Sequence, residues 1–124
     1  MHLENKSNEN FNSVGKLIDY NFPNAGASRL YYSVFQAVYS YSIKIGHTPN
    51  TKEETKHQRM LRLLTEMTQK DGQYKDMKDL FKVLLGLRVR ADYEGDDVRL
   101  QELERNYNSA KSLKEHFIGL LYSK

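Results

Sequence analysis

The sequence predicts an all-α protein, an up-and-down bundle of about five helices. Three observations lead there. The only prolines are Pro23 and Pro49, so 75 residues follow without a helix breaker. Apolar residues recur at spacings of three and four rather than two. The stretches joining the periodic segments are short, which makes neighbouring helices run antiparallel.

The first helix is expected at roughly 4–21, with Phe11, Val14, Leu17 and Ile18 on one side, ending before the stretch NFPN. The second, roughly 25–45, sets Ala27, Leu30, Tyr31, Val34, Phe35, Val38, Tyr41 and Ile45 in a stripe, and Gly46 suits a left-handed C-terminal cap. The third, roughly 53–70, presents His57, Met60, Leu61, Leu64 and Met67. The fourth, roughly 74–92, presents Met77, Leu80, Phe81, Leu84, Leu87 and Ala91. The fifth, roughly 97–122, follows EGDD, where an aspartate can cap exposed N–H groups. Its stripe is Leu100, Leu103, Tyr107, Ala110, Phe117 and Leu121, with Lys114 the one polar member. Glu53–Glu54 and Asp96–Asp97 fall at helix starts, where they complement the helix dipole. Residues 1–124 read as one domain, with residues 1–5 frayed.

Composition narrows the function. With no cysteine, the chain has no disulfide, thiol nucleophile or cysteine-ligated metal. No apolar run approaches the ~18 residues of a membrane span, and MHLENKSNEN does not read as a signal peptide. The expectation is a cytoplasmic protein. Net charge is +3, and residues 51–90 carry ten basic and six acidic groups, a middle able to attract phosphate. The chain lacks a Gly-rich phosphate loop and a nucleophile elbow. His2, His47, His57 and His116 stand at no metal-ligand spacing, so neither metal nor cofactor is expected. His47 falls in a loop and His116 on the solvent side of the last helix.

The chemistry concentrates in LLGLRVRADYEGDD, residues 84–97. With Leu84 at the centre of the buried stripe, Arg88 falls about 40° away, beside the core, and Arg90 about 120° away, outward. A charge beside the core is costly unless paired, and Asp92, four residues on, is the local partner. A guanidinium held rigidly near a cleft binds phosphate well. Gly86 either admits a second helix closely or occupies a tolerated surface position. If the third and fourth helices are antiparallel neighbours, His57 approaches Arg88 and is the available proton carrier. Tyr31 follows the core stripe, whereas Tyr32 points about 100° away, toward a dimer surface or Asp92. Arg29 is expected to pair with an acidic residue or line an anionic groove.

ASRLYYSVFQAVYSY, TKHQRMLRLL and LLGLRVRADYEGDD, in that order, resemble the HEPN domain superfamily of toxin–antitoxin and phage-defence proteins. The likeness is to the branch with SRxYYxxFxA in its second helix and RxxADY ending its fourth, and it covers about 25–100. It implies a helical bundle, a homodimer, RNA or nucleotide as ligand, and in toxin–antitoxin pairs a minimal nucleotidyltransferase partner. Many members are metal-independent ribonucleases with an arginine, four to six further residues and a histidine. Arg88 matches the arginine, but Tyr93 stands where the histidine is expected. With a pKa near 10, tyrosine is a poor general base at neutral pH.

Three readings follow. The first is a HEPN-type module that binds nucleotide, RNA or a partner without strong catalysis, through Arg88, Arg90, Asp92, Tyr32 and Arg29. The second is a dimeric ribonuclease toxin whose catalytic candidates are Arg88, Tyr93 and His57. The third is a structural bundle in which Arg88 and Asp92 only close one end.

Overall fold

A computed structural model describes residues 2–93 and 97–123, except the side chains of His2 and Tyr93. Five helices follow in order: α1 (His2–Asp19), α2 (Pro23–Lys44), α3 (Lys56–Lys70), α4 (Tyr74–Tyr93) and α5 (Leu100–Leu121). No strand occurs among the described residues.

The ends of α1 and α2 are built alike. Asn21 (φ 59°) and Gly46 (φ 73°) take the left-handed conformation. Phe22 N–H then reaches the Leu17 carbonyl at 2.7 Å, and His47 N–H the Ser42 carbonyl at 2.9 Å. These bonds satisfy carbonyls the helix leaves open. Pro23 opens α2, where its fixed φ suits a first turn. Thr55 opens α3 with a capping box: Gln58 N–H donates to its hydroxyl at 3.1 Å, and Thr55 N–H to the Gln58 side chain at 2.9 Å. Thus the cap is Thr55 and not the glutamates before it.

Nor does an aspartate cap α5. Its N-cap is Arg99, whose N–H donates to Glu102 at 3.1 Å. Asp97 instead accepts from the Asn24 side-chain amide at 3.0 Å, and Asn24 also receives Val98 N–H at 2.8 Å. Asp96 lies outside the described residues.

α2 lies against each of the other four helices. Its Leu30, Tyr31, Val34 and Val38 are fully buried, as are Val14 of α1, Met60 and Leu64 of α3, Phe81 of α4 and Leu103 and Phe117 of α5. Each such side chain contributes roughly 1.5–3 kcal/mol of hydrophobic free energy. α2 and α5 approach closely at Gly26, where an added Cβ would stand 2.5 Å from a Leu103 methyl. At the other end, Lys44 Nζ donates to the carbonyls of Leu120, Leu121 and Ser123 at 2.6, 3.0 and 2.7 Å. That places a cation on the negative end of α5.

Lys114 is buried, as its place in the stripe predicts. It lies 4.8 Å from the Phe11 ring centre and donates to Asn8 at 2.9 Å. Ile45, expected in the core, is exposed because α2 ends one residue before it. In α3 the buried stripe turns toward Leu63 and Arg59, leaving Leu61 only half-buried.

Candidate functional site

Tyr32, Phe35 and Tyr39 share one face of α2 by helical spacing. Their rings form a continuous row, with centres 6.1 Å apart between Tyr32 and Phe35 and 5.6 Å between Phe35 and Tyr39. The first turn of α3 and the C-terminal part of α4 around Arg88 border this row.

His57, from the start of α3, sits among the rings, 4.8 Å from Phe35, 5.5 Å from Tyr31 and 6.4 Å from Tyr32. Its Nδ1 lies 2.5 Å from the hydroxyl of fully buried Tyr31. Burial first, and the nearby Arg88 charge second, hold the His57 pKa below 6.5, so the ring is neutral at pH 7. Burial also pushes the Tyr31 phenol well above 10 and keeps it protonated, against the opposing pull of Arg88. A neutral phenol beside a neutral imidazole has two stable arrangements. The phenol donates to Nδ1 and leaves a proton on Nε2, or Nδ1–H donates to the phenol and leaves Nε2 basic.

Arg88 reaches the same place from α4. Its guanidinium carbon lies 5.1 Å from the Tyr32 ring centre, and its Nε is 3.3 Å from an Asp92 carboxylate oxygen. The Arg88 side chain is 14% exposed and that of Asp92 33%, so a cation beside the core is oriented by a carboxylate nearer to water. Arg88, Asp92, Tyr32, Tyr31 and His57 therefore come together; of these meetings the antiparallel arrangement anticipates His57 with Arg88, and helical spacing Arg88 with Asp92. Tyr93 ends α4, but its side chain lies outside the described residues.

Two candidates are placed elsewhere. Arg90, expected to point outward, is instead half-buried and donates to Glu102 of α5. Arg29 is exposed and donates to the Asn10 amide oxygen at 2.9 Å, a neutral partner on α1 rather than an acid.

Two other histidines, His116 and His47, also have defined partners. His116, expected on the solvent side, is half-buried with Nε2 2.8 Å from the Tyr74 hydroxyl. His47 lies with Nε2 2.9 Å from Glu66. Arg62 joins that cluster, its Nε 2.8 Å from Glu54. Among the described residues, no group of three or more acidic or histidine side chains is placed to hold a metal ion.

Sequence reasoning missed Arg59 and Lys56. The Arg59 guanidinium carbon lies 5.1 Å from the Tyr39 ring centre and Lys56 Nζ 5.2 Å from it. A signal existed in KHQR, which puts two cations on either side of His57 at a spacing of three, on one helix face. A concavity of about 450 Å³, lined by Tyr41, His47, Glu66 and Tyr74 among others, shares no residue with this face.

The family model described as HEPN domain matches residues 2–118. The chain belongs to the HEPN family. No curated protein and no solved structure matches it. The five-helix bundle of this HEPN chain is the fold that the motif resemblance implies. No helix among the described residues is long and apolar enough to cross a membrane.

Proposed function

We propose that this HEPN chain binds the phosphate of a nucleotide or of single-stranded RNA at Arg88, without strong catalysis. The observation that carries the reading is the double restraint on Arg88, which is held by Asp92 and laid against the Tyr32 ring. A fixed guanidinium gives up little freedom on meeting a phosphate, and the ring offers a surface for a base. Asp92 orients the arginine, and His57 stands close by as a hydrogen-bonding group.

The test is binding of a 5′-nucleoside monophosphate and of a mixed-sequence RNA by wild type and Arg88→Ala. The expected result is binding at least tenfold weaker in the variant, with little change in melting temperature because Asp92 is exposed. A large fall in melting temperature with no binding by wild type would instead favour a purely structural ion pair.

One observation favours a second reading. His57 is neutral at pH 7 and shares a proton with Tyr31 beside an arginine, an arrangement able to move a proton during RNA cleavage. That reading makes the chain a metal-independent ribonuclease. Cleavage in excess EDTA, abolished in both Arg88→Ala and His57→Gln, would establish it.

A further inference from the structure

We propose that Tyr39, Arg59 and Lys56 form a second phosphate subsite, so that the face takes a single-stranded oligonucleotide rather than a lone nucleotide. The inference rests on the Arg88 reading and extends it to the substrate's length.

Arg59 is the telling residue. It is only 9% exposed, and its Nε is sealed from solvent with no hydrogen-bond partner among the described residues. A buried guanidinium is costly without a counter-charge. It lies against the Tyr39 ring, a π face with no formal charge. Lys56 meets the same ring and forms no ion pair among the described residues. Two cations therefore converge on one tyrosine, and neither is ion-paired among the described residues.

Acids do stand nearby, Glu66 within α3 and Glu54 just before it. Arg62, one turn beyond Arg59, is neutralised by Glu54 and Glu66, at 2.8 and 3.3 Å. Among the described residues, carboxylates pair with Arg62 and none pairs with Arg59 or Lys56. An arginine against an aromatic ring beside a second cation has the chemistry that recognises a phosphodiester next to a stacked base.

The two ends of the row fit one strand. Tyr32 and Tyr39 lie seven residues apart on α2, about 10 Å along its axis. Arg88 marks one end, Arg59 and Lys56 the other, and Phe35 with His57 fills the interval. A mononucleotide brings one base and one terminal phosphate. Two ring platforms with separate cations call for at least two bases and an internal phosphate.

The experiment compares a nucleoside monophosphate with single-stranded RNA of two, four and eight nucleotides, and with DNA of the same sequences. Wild type is set against Lys56→Gln, Arg59→Gln and the double variant, each checked for an unchanged circular dichroism spectrum. Wild type should bind tighter with length from one to four nucleotides. The double variant should bind the tetranucleotide about tenfold more weakly and the mononucleotide as well as wild type does. Its salt dependence should flatten by about 0.7 in log K against log salt for each phosphate it no longer neutralises. Lys56 is exposed, so Lys56→Gln keeps the test open should Arg59→Gln fail to fold. Equal affinity for all lengths, or an unchanged tetranucleotide affinity in the double variant, overturns the second subsite while leaving the Arg88 site standing. Failure of wild type to bind mononucleotide and oligonucleotide alike overturns both. An acidic peptide that binds with the same dependence on Lys56, where RNA does not, also overturns the proposal and identifies the face as a protein-docking surface. DNA binding equal to RNA supports a reader of stacked bases and phosphates, and weaker DNA binding adds recognition of the 2′-hydroxyl.

Discussion

The Tyr31 hydroxyl lies 2.5 Å from His57 Nδ1, joining the buried row of α2 to the first turn of α3. One partner is fully buried and the other is ringed by aromatics, so the proton between them is shielded from water. That bond fixes the His57 ring relative to Arg88.

His57 should respond to Arg88. The guanidinium charge is the second cause, after burial, of its lowered pKa. Arg88→Ala therefore raises the His57 pKa toward 6.5, which a proton NMR titration of the imidazole would read. The direction for stability follows. As pH falls below 6.5 the unfolded chain takes this proton before the folded one does, so wild type loses stability on that descent. Arg88→Ala loses less over the same range. No change in the imidazole titration would show that the arginine and the ring are not neighbours in solution.

A second acid-sensitive element lies at the α2–α3 connection. Arg62, with Asn50 N–H, holds the Glu54 carboxyl down at about 2 from the ordinary 4.5. A depressed carboxylate stabilises the fold above pH 4.5 and loses that effect as pH falls toward 2. Urea denaturation of Glu54→Gln should show a smaller stability loss between pH 4.5 and 2.5 than wild type. The same loss in both would remove Glu54 from the acid response.

Two glycines should respond to alanine with opposite sign. An added Cβ at Gly86 meets nothing within 4 Å, so Gly86→Ala in the middle of α4 stabilises by roughly 0.5–1 kcal/mol. At Gly46 the space is also open but φ is 73°, so Gly46→Ala destabilises by about 1 kcal/mol. Chemical denaturation of both variants checks the pair, and destabilisation by Gly86→Ala would argue for a close approach there by a second subunit.

Phe81 supports the site from beneath, with its ring edge-on to Tyr31 at 5.4 Å. It is fully buried, so Phe81→Ala should cost about 3–5 kcal/mol. A loss below about 1 kcal/mol in a denaturant series would mean that the neighbouring side chains collapse into the space.

Much of this is legible in the sequence because helical periodicity carries it. Projecting α4 from Leu84 puts Arg88 beside the core, and antiparallel α3 and α4 put His57 near it. What stays hidden depends on partners in distant segments. Arg90 points outward from α4 taken alone, yet Glu102 of α5 turns it inward. His116 reads as solvated until the Tyr74 hydroxyl meets it. Arg59 is hidden for another reason: a charged residue is not expected in a buried stripe, and its place against the Tyr39 ring shows only in the fold. The start of α5 differs from its sequence pattern because Asp97 is engaged by Asn24, a residue far back in the chain.

α2 touches every other helix, and α5 is fastened close to both its ends, at Gly26 and at Lys44. It is the axle of the bundle, and it carries the aromatic row. An axle cannot loosen alone, so the backbone amides of α2 around Tyr32 to Tyr39 should exchange with deuterium only through global opening. A molecule seated on that row would then slow exchange in the cores of all five helices together, rather than in a local patch.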